Sequence, residues 1–126
     1  FEDGVASGSN PKVKLIPRGE NFYRTGRTDG GSYFTKEHPG KTSGVRKENL
    51  QLPPGNDGKE LSKVCSTRPQ IGIQSNIKPQ PEWAKEAGYK VRLGMKQIYV
   101  PSANEHGALA DNRFDVKKNN NSRNNE

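Results

Sequence analysis

Asn21-Phe22-Tyr23-Arg24-Thr25-Gly26-Arg27-Thr28-Asp29-Gly30-Gly31-Ser32-Tyr33-Phe34-Thr35 sets two short aromatic-bearing runs on either side of a glycine-rich turn. Strand formers in the runs and turn formers in Thr28-Asp29-Gly30-Gly31 predict a hairpin that pairs Asn21-Phe22-Tyr23-Arg24 with Ser32-Tyr33-Phe34-Thr35. Arg24 and Arg27 bring two guanidiniums, and Tyr33 and Phe34 an aromatic pair, beside backbone that a ligand can approach closely, because Gly30 and Gly31 carry no Cβ. A phosphate or nucleotide pocket can be built in this way. Tyr33 and Phe34 alternate in facing, so at most one of them lines such a pocket.

Upstream, Val13-Lys14-Leu15-Ile16 is a further strand candidate, separated from the central stretch by a Pro17-Arg18-Gly19 turn. Residues 1–10 are polar and rich in Gly and Ser and read as a flexible linker. The start at Phe1, with no charged-then-apolar leader behind it, is what a processed product or the end of a longer polypeptide would show.

Downstream, His38-Pro39-Gly40 breaks the chain, and Ser43 is placed to cap a short helix over residues 45–50 that stops before Pro53-Pro54. Asp57 followed by Glu60 resembles a capping box and predicts a second helix over 58–65, with Leu61 and Val64 on one face. Ile71, Ile73 and Ile77 share the period of a half-buried strand. Residues 82–87 read as a helical turn or two ended by Gly88, with Trp83 as a core anchor. Gln97-Ile98-Tyr99-Val100 is the last predicted strand. From Lys117 onward the chain is Lys, Asn, Ser, Arg and Glu only, so residues 117–126 read as a disordered tail and 11–116 as the catalytic domain. The expected fold is α+β: a small irregular antiparallel sheet with short helices and long loops.

Only 28% of the 126 residues are hydrophobic, so the core must be thin. A net charge of +7 favours a phosphorylated or polyanionic ligand or an acidic protein surface. The single Cys65 excludes an internal disulfide and a cysteine-rich metal site. No stretch approaches the roughly 20 apolar residues that span a bilayer as a helix.

The segment from Pro17-Arg18-Gly19 to Phe34, then Val45-Arg46 with Leu52-Pro53-Pro54, then Gln97-Ile98-Tyr99-Val100-Pro101, resembles the tuberculosis necrotizing toxin-like NAD glycohydrolases. These are C-terminal effector domains of large secreted bacterial polypeptides, in polymorphic and contact-dependent growth-inhibition systems. The resemblance implies a domain delivered into the cytoplasm of a target cell, NAD as substrate rather than cofactor, and a cognate acidic immunity protein as partner. It makes Arg24 the nucleotide-binding arginine and Gln97 the active-site glutamine, with Arg27, Gly30, Gly31, Tyr33 and Phe34 around the substrate. The chain departs from the pattern where the family has a histidine after Leu-Pro-Pro: Lys59, Glu60 and Ser62 stand there. Leu93-Gly94-Met95-Lys96 likewise replaces a run of glycines before the glutamine.

Cleavage of the nicotinamide–ribose bond needs a held pyrophosphate, a positioned ribose and an accessible water, and these groups require no metal. Arg24 suits the pyrophosphate, and the Gln97 amide suits a ribose hydroxyl or the attacking water. Two other readings stay open. A metal-independent ribonuclease attacking tRNA or rRNA would draw on His38 or His106 with Lys36 and Thr35. A basic, non-catalytic subunit of a large ribonucleoprotein assembly would share the composition.

Overall fold

The computed structural model describes residues 8–28, 30–102, 104 and 106–118. In chain order the elements are β1 (Gly8–Ile16), β2 (Asn21–Thr25), β3 (Tyr33–Phe34), α1 (Ser43–Leu50), β4 (Leu61–Ser66), β5 (Gln70–Ile77), α2 (Pro81–Ala87), β6 (Lys96–Tyr99) and β7 (Phe114–Lys118). All pairings are antiparallel, in a four-stranded sheet of order β1-β5-β6-β3 and a three-stranded sheet of order β2-β4-β7. The architecture is the expected mixed α+β one, with two small sheets in place of one.

The central stretch explains the difference. Its two runs do not form a hairpin: β2 pairs along its whole length with β4, while β3 pairs with β6. What remains between them is one bridge, with Tyr23 N donating to Thr35 O at 2.7 Å and Thr35 N to Tyr23 O at 2.9 Å. That bridge joins the two sheets. Between it and β2's end the loop is held from outside, since Gly31 N donates to His106 O (2.8 Å) and Leu109 N donates to Gly31 O (3.0 Å). Asp29, within the expected turn, lies outside the described residues.

The predicted helix over 58–65 is a strand. Asp57 does not cap a helix; its Oδ1 accepts from Lys59 N at 3.0 Å, a two-residue side-chain turn that Asn56 repeats one step earlier on Gly58 N. Leu61-Ser62-Lys63-Val64-Cys65-Ser66 then runs between β2 and β7 as the centre of its sheet, where ladder bonds on both sides outweigh the local helix preference of Leu61 and Lys63. Lys117 and Lys118, read as the start of the tail, complete this ladder opposite Lys63 and Ser62. Gly8 and Ser9 likewise extend β1 into the expected linker, while residues 1–7 and 119–126 lie outside the described part.

The core lies between the facing sheet surfaces. Phe22 and Val64 with Phe114 from one sheet meet Ile16, Phe34 and Ile98 from the other. Three rings form its centre, with Phe34 and Phe114 at 4.4 Å between centroids and Phe22 edge-on to Phe114 at 6.1 Å. The outer face of β1 and the start of β5 stays uncovered, which leaves Val13, Leu15 and Ile71 exposed although Ile73 and Ile77 are buried. The helices follow the sequence signals closely. Thr42 rather than Ser43 caps α1, its Oγ1 accepting from Val45 N, and α2 runs from Pro81 to a left-handed Gly88 (φ 80°). Among the described residues no helix is long and apolar enough to cross a membrane.

Candidate functional site

A cleft of about 340 Å³ opens beside the bridge that joins the sheets. Tyr23, Arg24 and Thr25 enter from β2, Tyr33, Ile77 and Gln97 from the four-stranded sheet, Leu50 from the end of α1, residues 51–53 and Asn56 from the loop after it, Gln80 from the cap of α2 and Trp83 from α2 itself. Phe34 and Thr35 also border it. Arg24 is the one charged side chain among these lining residues.

Arg24 and Gln97, distant in sequence, thus reach one site. The Arg24 guanidinium is committed to the loop that follows β2: Nε donates to Arg27 O at 3.1 Å, Nη1 to Tyr33 O at 3.2 Å and Nη2 to Gly30 O at 3.4 Å. These bonds orient the cation and hold it at the cleft wall. Gln97 is buried, with its Nε2 3.4 Å from Ser75 Oγ on the neighbouring strand. Tyr33 turns to the cleft side and packs on Tyr99 at 5.1 Å, whereas the Phe34 ring belongs to the core. Both residues nevertheless border the cleft, against the expectation that at most one would.

Gly30 and Gly31 serve another purpose than approach to a ligand. A Cβ on Gly30 would meet His106 O at 2.6 Å, and one on Gly31 (φ 116°) would strike the Arg24 guanidinium. Gly107 (φ 92°) closes the same contact from the far side, since a Cβ there would lie 2.6 Å from the Gly31 carbonyl carbon. Gly107→Ala is therefore expected to cost roughly 2 kcal/mol or more, read as a lowered thermal midpoint, because both a left-handed φ and a backbone clash must be relieved. An unchanged midpoint would show that the loop yields freely.

The other predicted groups scatter. Arg27 is exposed outside the cleft, with its carbonyl on Arg24. Neither His38 nor His106 lines the cleft. His38 accepts from Gly40 N through Nδ1 at 3.1 Å and sets its ring against Tyr23, while His106 lies behind Gly30 and Gly31. Lys36 donates to Asn21 O at 3.2 Å beside Glu20. Thr35 borders the cleft but owes its place to the bridge.

Three contributors escaped the sequence reading. Thr25 lines the cleft, and its Oγ1 is buried without a hydrogen-bond partner. Gln51, fully buried, donates through Nε2 to Glu48 O (2.7 Å) and Lys90 O (3.1 Å) and accepts from Gln80 N at 3.1 Å, which locks α1, α2 and the following loop together. Trp83, expected in the core, stands at the cleft and is 38% exposed. Only the left-handed φ of Gln51 (46°) distinguishes it, and a sequence does not display that.

Tyr89 fixes the apolar wall by donating its hydroxyl to Leu52 O at 2.7 Å, and burial pushes its phenol above the ordinary value. A raised folded pKa means that this contribution is fully present below about pH 10 and is lost as pH rises through the folded value. The stability difference between the parent and Tyr89→Phe is expected to shrink above about pH 10 in urea unfolding; a difference independent of pH would refute the assignment.

No protein-family model and no curated protein matches the sequence. Solved structures do resemble it. Rhs1-CT in complex with its cognate immunity protein RhsI1 superposes with a TM-score of 0.65 at 13% identity, over 92% of this chain and 84% of that one. Tne2 in complex with Tni2 gives a TM-score of 0.59 at 14% identity (86% and 90% covered), and Tse6 in complex with Tsi6 gives 0.57 at 14% (93% and 81%). The chain shares the fold of these three proteins, each solved with a bound partner that in Rhs1-CT is its cognate immunity protein.

Proposed function

We propose that this chain is a toxin effector that hydrolyses NAD at the nicotinamide–ribose bond in the cytoplasm of a target cell. The carrying observation is the convergence of Arg24, Tyr33 and Gln97 on one cleft. In the reaction, water adds to the ribose carbon and gives up a proton to solvent as the bond to nicotinamide breaks. The bond pair moves onto the ring nitrogen and cancels its positive charge, so the leaving group departs neutral and needs no proton donor. The absence of both histidines from the cleft lining agrees with this chemistry. Arg24 draws the pyrophosphate to the wall, and the Gln97 amide holds a ribose hydroxyl or the water where positive charge develops on the sugar.

The resemblance to structures that hold immunity proteins supports an acidic immunity partner that covers the cleft mouth, and the chain's +7 charge would speed its capture. Purified protein incubated separately with NAD and with total tRNA tests the assignment. Nicotinamide release with intact RNA is the expected result. RNA fragments with intact NAD would transfer the function to a ribonuclease, and silence on both would favour a non-catalytic role.

A further inference from the structure

Trp83 is the single tryptophan of the chain, lines the cleft and keeps more than a third of its surface exposed. Among the described residues it makes no ring contact. An indole gains most from covering its flat apolar face, so leaving it open is a cost unless something planar covers it. Its position is nevertheless well defined. Gln80 N at the start of α2 donates to the buried Gln51 Oε1, Ala84 in the next turn is buried, and Gly88 N closes the helix on Ala84 O at 2.8 Å.

The surroundings divide the cleft by chemistry. Leu50, Leu52, Pro53 and Ile77 join Trp83 in an apolar set, whereas Arg24 supplies charge and Gln97 an amide. A ligand that suits both carries a flat, uncharged ring and a phosphate. The nicotinamide ring of NAD is cationic; an indole face attracts a cation, but the one charge in the lining, Arg24, is positive and opposes a second cation in the cleft, whereas the neutral purine meets no such repulsion. The neutral purine is the better match.

We infer that Trp83 is the stacking platform for the adenine ring, with the phosphates directed to Arg24 and the scissile ribose to Gln97. This assignment rests on the nucleotide reading of the cleft and adds the orientation of the substrate and a residue that determines specificity for an aromatic base.

Because the chain has one tryptophan, its intrinsic fluorescence reports this contact directly. ADP-ribose, which contains no bond to nicotinamide, and AMP are expected to quench it saturably, and ribose 5-phosphate is not. No quenching by ADP-ribose, or equal quenching by ribose 5-phosphate, overturns the inference. Trp83→Ala is expected to raise KM for NAD roughly tenfold, more than it lowers kcat, and Trp83→Phe to restore much of the loss. Normal KM in Trp83→Ala would remove the stacking role and leave NAD hydrolysis standing. Saturable quenching by AMP in a protein that cleaves no NAD would keep the stacking role and overturn NAD hydrolysis.

Discussion

Arg46→Ala should cost the domain about 3–5 kcal/mol, a large part of the 5–15 kcal/mol that holds a typical domain folded. Arg46 projects from α1, is 0% exposed, and gathers three backbone carbonyls: Gly58 O on Nε at 2.6 Å, Gly40 O on Nη1 at 3.1 Å and Lys59 O on Nη2 at 3.4 Å. Truncation strands these acceptors away from water and leaves a void the size of the side chain. The consequence reaches the site, because Gly58 and Lys59 belong to the turn that Asn56 and Asp57 build, and Asn56 lines the cleft while donating to Thr25 O at 3.2 Å. Arg46→Lys should recover only part of the stability, since an ammonium cannot present a planar fork to separated carbonyls. Urea unfolding of the three proteins measures this; a loss in Arg46→Ala below about 1 kcal/mol would show that the turn is held by other means.

Gln97→Ala is expected to lower kcat for NAD hydrolysis by about 10²–10³-fold, the usual effect of removing one preorganised polar group from the reacting centre. Gln97 is buried with its Nε2 3.4 Å from Ser75 Oγ, and β6 keeps its ladder bonds to β5 and β3 in the variant, so the thermal midpoint is read beside the rate. Arg24→Ala would release the carbonyls of Arg27, Gly30 and Tyr33 as well as the substrate, so its activity loss would mix binding with a loosened loop. Initial rates of nicotinamide release, with thermal midpoints alongside, separate these effects. A Gln97→Ala protein within about threefold of the parent rate would remove Gln97 from the chemistry.

The candidate site was legible where one residue type carries a distinctive capacity. A guanidinium among glycines and a glutamine opening a strand both led to the cleft, and the facing of Tyr33 against Phe34 followed from strand geometry. Gly30 and Gly31 were legible as close-approach positions, but the partner that approaches is the loop around His106 and Gly107. Thr25 and Trp83 could not be found in the same way: a threonine at a strand end and a tryptophan on a short helix are common, and their value lies in an unpartnered hydroxyl and an uncovered ring.

By itself the sequence determined what depends on near neighbours. Gly88 ends α2, the isoleucine spacing marks β5, and residues 45–50 form a helix, because capping, φ preference and side-chain period act within a few residues. Tertiary structure decided which strands pair, why 61–66 extends rather than coils, and how Arg46 and Gln51 come to be buried. Those outcomes depend on hydrogen-bond partners far along the chain, and a strand or a buried polar group is stable only once the partner has arrived.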